Sequence, residues 1–406
     1  MALALLAPDP FAGTLLLLTG VWLAAKLGGE IALRLKLPTV AGELCAGLAL
    51  AGLHQAFPGF PEVGGSAALG VLANLGVLVL MFAVGLESTV PQMLGVGWPS
   101  LRVAVAGVCL PVLGGLLGAH WLMPPGLPWG VDLFIGACLC ATSIGISAQV
   151  LREKRAAASP EGRVILGAAV VDDVLGLLVL VAASRLAVTP PGGGLPWPGL
   201  LRTLGLAFLF LGLALTLGRR AAPHLFRLAS RFRSEQLLLP LGLAFACLLA
   251  WLGGHAGLAP IVGAYAAGLI LEPTHIQVLE ARESHTLEDL VHPLVTTLAP
   301  VFFVVMGARV DLAALAAPGT LLLAGVLTAV GVAGKWAAGF AAGPGCRASV
   351  VGWGMVPRGE VGLIFAATGM ALGVVSPSVF SIIVIMVILT TLITPPVLSW
   401  LIRRVQ

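Results

Sequence analysis

The stretch Ile165–Leu180, ILGAAVVDDVLGLLVL, carries two adjacent carboxylates, Asp172 and Asp173, inside an otherwise apolar run. A charged aspartate at the centre of a bilayer costs about 2.5 to 3.5 kcal/mol on insertion scales. A chain that keeps two such residues side by side is therefore expected to use them. The pair predicts an ion or proton site inside a membrane helix.

The composition of the chain is that of an integral membrane protein. Hydrophobic residues make up 59% of its 406 residues, charged residues only 10%, and the mean hydropathy is +1.05. Soluble domains carry about 25% charged residues, so an ordinary soluble fold is excluded. The basic residues lie at loop edges rather than along one stripe, which argues against nucleic acid as a partner and predicts the lipid bilayer instead.

Apolar runs predict about thirteen transmembrane helices, because a helix needs about 20 apolar residues to cross a bilayer. The predicted spans are 11–33, 38–53, 68–88, 100–122, 129–151, 161–187, 199–218, 235–253, 258–272, 289–308, 318–342, 348–373 and 377–402. Basic residues such as Lys154 and Arg227 concentrate in alternate loops. This asymmetry predicts a multi-pass protein of the bacterial cytoplasmic (inner) membrane, with its N-terminus outside and its C-terminus in the cytoplasm.

Two pairs of segments repeat along the chain at nearly one offset. Val40–Leu48 (VAGELCAGL) resembles Ile261–Leu269 (IVGAYAAGL), and Val79–Glu87 (VLMFAVGLE) resembles Val301–Arg309 (VFFVVMGAR). The matching spans are seven apart, and because seven is odd the two copies point in opposite directions through the membrane. This predicts the inverted repeat common in secondary transporters. Chance similarity among helices rich in small apolar residues is the alternative.

The span 129–151 contains a sequence typical of a discontinuous helix, ATSIG at 141–145. Such helices cross near the membrane midplane in inverted-repeat transporters. Thr142 and Ser143 can offer hydroxyls and freed backbone carbonyls to a small cation there. The alternative is that both hydroxyls bond back to their own helix.

The span 348–373 contains a second candidate break, VPRGEVG at 356–362. Pro357 and Gly359 disrupt the helical ladder, and a broken helix leaves dipole ends that need opposite charge. Arg358 and Glu360 can supply that charge at membrane depth. A simple loop cap is the alternative, although strongly apolar sequence follows without interruption.

Lys335 lies in VGVAGKWAAGF, where neighbouring Gly and Ala residues allow helices to pack closely. A buried ammonium needs a carboxylate partner. Residues 172 and 173 are about 100° apart around a helix, so one carboxylate can face Lys335 while the other faces a water-filled cavity. The alternative is a lysine near a helix end that reaches the membrane interface.

These segments together resemble the bacterial monovalent cation/proton antiporters, in the branch of NapA-like sodium/proton antiporters. The resemblance rests on LGAAVVDDVLGL, ATSIGISAQVL, LAPIVGAYAAGLIL, the Gly334 and Lys335 pair, and PRGEVGLI. It covers residues 37–396, which is nearly the whole chain. The combination of motifs is specific to that family.

The resemblance implies an all-α polytopic fold with an inverted repeat and two crossing discontinuous helices. It also implies a homodimer in which a core transport domain moves against a dimerisation domain. The dimerisation domain would comprise 1–95 and 234–315. The core would comprise 96–190 and 316–406. A linker helix and cytoplasmic loop would occupy 191–233.

The resemblance further implies a role for each candidate residue. Asp173 would bind the cation and the proton, Asp172 would pair with Lys335 beside that Na⁺ site, and Thr142 and Ser143 would line the unwound crossing. The chain would be a transporter rather than an enzyme, with no cofactor. It would exchange Na⁺, with Li⁺ as a further substrate, for H⁺ by an electrogenic, elevator-like cycle.

Three other functions stay open at this point. A K⁺/H⁺ antiporter on the same scaffold is the nearest, because cavity size and hydration determine K⁺ selectivity. Sodium-coupled symporters of organic solutes share the architecture but need a roomy polar cavity. An intramembrane aspartyl protease also uses two membrane aspartates, yet its pair must come from separate helices so that both face one water.

Overall fold

The structure of the protein is a computed structural model. This structure describes residues 10–35, 37–57, 59–87, 97–122, 129–157, 159–187, 201–202, 205–206, 209–210, 212–229, 232, 236–256, 258–271, 285–313 and 318–403. Within these residues the fold is all helical, as the sequence predicts. The helices are α1 (Pro10–Arg34), α2 (Thr39–Ala56), α3 (Ala67–Glu87), α4 (Trp98–Leu122), α5 (Trp129–Cys140), α6 (Ile144–Glu153), α7 (Pro160–Ala187), α8 (Arg219–Ala229), α9 (Leu238–His255), α10 (Pro260–Ile270), α11 (Leu287–Ala308), α12 (Pro318–Ala338), α13 (Ala348–Met355), α14 (Glu360–Ala371) and α15 (Pro377–Arg403).

Eight of the described helices are long and apolar enough to cross a membrane: α1, α3, α4, α7, α9, α11, α12 and α15. Large apolar side chains such as Leu23, Leu27 and Ile31 are exposed on α1. In water these side chains would be costly to expose, whereas lipid tails solvate them. The multi-pass membrane protein predicted from composition is confirmed.

The two spans predicted to be discontinuous are each built from two short helices. The first consists of α5 and α6, separated by residues 141–143, and the second of α13 and α14, separated by 356–359. The second break is narrower than predicted, because α14 already begins at Glu360. Once past Gly359, the sequence contains no further proline that would prevent helix formation until Pro377.

The helices group into two compact units, and the larger comprises Met1–Leu69, Gly95–Pro196 and Phe303–Gln406. Buried apolar side chains from α4, α6, α7, α13 and α15 form one core within it, including Val103, Leu151, Ile165, Val351 and Leu398. Glycines let these helices approach closely. A Cβ added at Gly115 on α4 would lie 2.7 Å from the Cα of Gly136 on α5.

The smaller unit comprises Gly70–Leu94 and Trp197–Phe302. Its core includes Val79, Phe82, Leu249, Ala266 and Ile270, contributed by α3, α9 and α10. A π-helical turn at Ala214–Gly218 leads into α8. The predicted linker, 191–233, lies partly outside the described residues, which omit 191–200, 203–204, 207–208, 211, 230–231 and 233, so the predicted span 199–218 is described only in part.

Glycines of the repeated segments make matching close contacts in the two units. In the larger unit a Cβ at Gly47 on α2 would meet the Val304 carbonyl, and the Cα atoms of Gly47 and Gly307 face each other. In the smaller unit a Cβ at Gly268 on α10 would meet the carbonyl of Phe82, beside Gly85. The first segment of each copy therefore packs against the second segment of the other copy. An inverted repeat predicts this exchange.

Candidate functional site

The site is built on α7, whose apolar sequence holds Asp172 and Asp173 at consecutive positions of one helix. Asp172 is 1% exposed and Asp173 is 9% exposed. The two carboxylates leave the helix about 100° apart, so they meet different neighbours. The difference in exposure indicates that Asp173 is the more accessible of the two.

Lys335 on α12 pairs with Asp172. The Lys335 Nζ lies 2.7 Å from Asp172 Oδ1, and the lysine side chain is fully buried. Gly107 on α4 lies beside the ammonium, since a Cβ there would be 3.4 Å from Nζ, in ordinary van der Waals contact. Lys335 therefore does not reach the membrane interface, and the alternative of a snorkelling lysine is wrong.

The first helix break brings Thr142 and Ser143 against the second break. Thr142 Oγ1 donates to the carbonyl of Met355 at 3.3 Å, and the Ser143 backbone N–H donates to Pro357 O at 2.8 Å. A Cβ at Gly359 would lie 2.8 Å from Ser143 Oγ, so a larger residue would displace the serine. Thr142 thus bonds across the two breaks rather than to its own helix.

Arg358 in the second break is fully buried. Its Nη1 donates to Met355 O at 3.4 Å, at the C-terminal end of α13, and its Nη2 donates to Gly331 O on α12 at 3.2 Å. A guanidinium at the carbonyl end of a helix opposes the negative end of the helix dipole. The side chain of Glu360, the other charged residue predicted here, lies outside the described part of the chain.

Two hydroxyl groups that the sequence analysis did not single out also hold the crossing together. Ser147 Oγ on α6 donates to Gly354 O at 2.5 Å, and Thr391 Oγ1 on α15 donates to Arg358 O at 2.7 Å. Ser147 lies four residues after Ser143, on the same face of the helix, and this spacing could have identified it from the sequence. Thr391 carried no comparable signal, because threonines in apolar helices usually bond to their own helix.

The arrangement of Asp173 and the helix crossing can bind a proton and a monovalent cation in turn. A carboxylate such as Asp173 neutralises either one, but it cannot hold both at full strength because their positive charges repel. Hydroxyls and the carbonyls freed at a helix break are hard oxygen ligands of the kind that small cations prefer. The neighbouring ion pair adds a second group that can carry a proton.

Known proteins resemble this chain over nearly its whole length. The profile of the family described as "Sodium/hydrogen exchanger, transmembrane" matches residues 18–404. The chain is 36% identical to the high-affinity Na⁺/H⁺ antiporter NhaS3 of Synechocystis sp., over 96% of this chain and 90% of the relative. It is 33% identical to the Na⁺/H⁺-K⁺ antiporter GerN of Bacillus cereus, over 94% of each chain.

A solved structure shares the fold. The sodium proton antiporter MjNhaP1 from Methanocaldococcus jannaschii aligns with a TM-score of 0.71, covering 95% of this chain and 97% of that one at 17% sequence identity. The site and the fold thus define a membrane transporter. The chain belongs to the sodium/hydrogen exchanger family.

Proposed function

We propose that this protein exchanges Na⁺, and also Li⁺, for H⁺ across the bacterial cytoplasmic membrane. One observation carries the proposal: Asp173 stands next to a buried Asp172–Lys335 ion pair, with Nζ 2.7 Å from Oδ1. The names of NhaS3 and of a relative from Enterococcus hirae, 31% identical and called a Na⁺/H⁺ antiporter, support the same activity.

In this mechanism Asp173 binds either the cation or a proton. Asp172 contributes a second negative charge near the Na⁺, and Thr142 and Ser143 supply oxygen ligands at the helix crossing. Arg358 and Glu360 compensate the dipole ends of the broken helices. A proton must leave before the cation binds, which couples the two flows.

We propose that the cycle is electrogenic because Lys335 is a second proton carrier. A cation at Asp173 weakens the attraction between Asp172 and Lys335 through its field, which favours loss of the lysine proton. More protons than cations then move per cycle. The full burial of both partners supports this coupling, since charges interact strongly where water is excluded.

The transport cycle is proposed to be an elevator-like movement of a core domain (96–190 and 316–406) against a dimerisation domain (1–95 and 234–315), joined by 191–233. The Asp172–Lys335 pair and both helix breaks belong to one compact unit, which also contains Met1–Leu69 of the proposed dimerisation domain. We propose a homodimer with the N-terminus outside and the C-terminus in the cytoplasm. Mass measurement of the purified protein in detergent would test the dimer, with a monomer mass counting against it.

The function is tested in proteoliposomes that contain a pH-reporting dye. An imposed pH gradient should be dissipated by Na⁺ and Li⁺ but not by choline, and Asp173→Asn should abolish the response. K⁺ belongs in the same experiment because GerN is named for K⁺ as well as Na⁺. A response to K⁺ alone would favour the K⁺/H⁺ antiporter, and no response to any of the cations would refute the proposal.

A further inference from the structure

The amphipathic helix α8 (Arg219–Ala229) has no role in the proposed cation chemistry, and one of its faces is anchored to the protein. Ala222 and Phe226 on this face are buried in the core of the smaller unit. The turn before the helix is fixed as well, since a Cβ at Gly218 would lie 2.8 Å from Cδ1 of Ile270 on α10. A molecule bound to the other faces of α8 would therefore act on this core.

A second face of α8 is apolar and exposed. Leu225 and Leu228 are 52% and 55% exposed, and Phe232, three residues beyond the end of the helix, is exposed too. The chain that leads into α8 exposes Leu213 and Leu217 in the same way. In a membrane protein such side chains are solvated by lipid tails. This face indicates that α8 stays in contact with acyl chains.

The third face of α8 is basic. Arg220, His224 and Arg227 are exposed and fall within about 60° of one another around the helix. The two leucines lie about 100° further round, and the buried residues about 110° beyond the leucines. The sequence from 174 to 234 contains seven arginines and no aspartate or glutamate. This segment is therefore positively charged, and the basic face attracts anions.

Basic residues at helix ends can also reflect topology alone, because their excess in cytoplasmic loops sets the orientation of a membrane protein. In α8, however, the arginines share one face and stand directly beside exposed leucines. A helix with one apolar and one cationic face lies in the membrane interface, where it contacts acyl chains and headgroups together. A nucleic acid or an acidic soluble protein would match the arginines but leave the leucines uncovered.

We propose that α8 binds anionic phospholipids, with Leu225 and Leu228 against the acyl chains and Arg220 and Arg227 on the phosphate groups. Arginine suits this role because its guanidinium forms paired hydrogen bonds with phosphate. The ligand is a membrane phospholipid rather than free phosphate, because free phosphate offers no contact to the leucines. Since Phe226 anchors α8 in the core, bound lipid stabilises the folded protein.

The test measures the melting temperature of the purified protein in detergent as lipid is added. Dioleoylphosphatidylglycerol should raise it at concentrations where dioleoylphosphatidylcholine and inorganic phosphate do not. One basic residue near an anionic membrane surface contributes about fivefold in affinity. Arg220→Gln/Arg227→Gln should therefore need about 25-fold more phosphatidylglycerol for half of the effect.

Arg34→Gln/Arg403→Gln is the matched control. It removes two charges from exposed arginines at the ends of α1 and α15. Arg34 also lies on a helix with exposed apolar residues, but its charge is balanced by Glu30, whose Oε1 is 2.8 Å from Arg34 Nε. This control should keep the wild-type response to phosphatidylglycerol. Arg220→Lys/Arg227→Lys should keep it too, because the charge is retained.

Three results would overturn the proposal: equal stabilisation by the two lipids, stabilisation by inorganic phosphate in place of lipid, or an equal loss of response in the α8 variant and the control. If Arg220→Gln/Arg227→Gln does not fold, the single variants decide. Each should need about fivefold more phosphatidylglycerol than the wild type, and a wild-type response from both would equally overturn the proposal. These outcomes do not depend on which cation the protein exchanges.

Discussion

Two carboxylates at the midpoint of α7 have different surroundings although they belong to consecutive residues. On one side Asp172 is 1% exposed and its carboxylate bonds to Lys335. On the other side Asp173 is 9% exposed. The same chemical group is thus fixed in a low-dielectric ion pair in one case and left more accessible in the other. The difference suggests a division of labour, in which Asp173 exchanges its ligand and Asp172 responds to the exchange.

Asp173→Asn is expected to have the largest effect on transport. Amide and carboxylate have nearly the same shape, so the protein should fold, but an amide carries no charge for a cation and does not exchange a proton. We expect Na⁺-driven H⁺ flux to disappear in proteoliposomes. Asp132→Asn is the control, because Asp132 is also a buried aspartate, near His120 on α4, and its variant should keep exchange. Normal flux from Asp173→Asn would remove Asp173 from the site.

Lys335→Gln tests the other side of α7. Removing one partner of a buried ion pair leaves an uncompensated charge, which costs about 3 to 5 kcal/mol. We expect a lower melting temperature and a reduced charge movement per Na⁺, measured on a solid-supported membrane beside dye-reported H⁺ flux. Some exchange through Asp173 should remain. Unchanged stability together with unchanged charge per cation would make Lys335 a bystander.

Thr142→Val tests whether the helix crossing contributes to cation binding at Asp173. The valine keeps the shape of threonine but loses the hydroxyl that donates to Met355 O, a loss of about 0.5 to 1.5 kcal/mol. We expect the Na⁺ concentration for half-maximal exchange to rise by up to about tenfold. Thr368→Val is the control, because the Thr368 hydroxyl bonds within its own helix, to Ile364 O at 2.8 Å. Equal effects of the two substitutions would argue against a special role for Thr142.

Cysteine labelling shows from which side of the membrane each loop is reached, and it should have little effect on transport. In a background without the natural cysteines, cysteines at Lys154 and Arg227 should react only from the cytoplasm, and one at Glu62 only from outside. Reaction at positions 154 and 62 from the same side would contradict the proposed orientation.

Cys346, retained alone, provides a natural reporter for the same experiment. Burial raises the pKa of its thiol, and the Glu161 carboxylate adds to the shift. Less thiolate is then present at neutral pH, so labelling from the cytoplasm should be slow and should accelerate as the pH rises. Rapid labelling from outside would contradict the orientation.

Much of the fold follows from the apolar runs, because a bilayer requires long helices with all backbone groups satisfied. The breaks were predictable from Pro357, Gly359 and the polar pair Thr142 and Ser143. The pairing of Lys335 with Asp172 rather than Asp173 could not be predicted from helical spacing, because the spacing allows either carboxylate. Only the family resemblance distinguished them. Ser147 and Thr391 escaped because their roles depend on which carbonyls the tertiary fold brings near them.

The reciprocal glycine crossings have an evolutionary consequence. Where Gly47 meets Gly307 and Gly268 meets Gly85, backbone touches backbone, with no side chain between the helices that could be trimmed or enlarged. Ordinary cores drift by many small compensating changes of volume. A crossing of this kind offers no such intermediate steps, because even one methyl group would separate the helices. These four positions should therefore stay fixed while the surrounding leucines and valines diverge, and they would still mark the predicted inverted repeat after other similarity between the two copies has been lost.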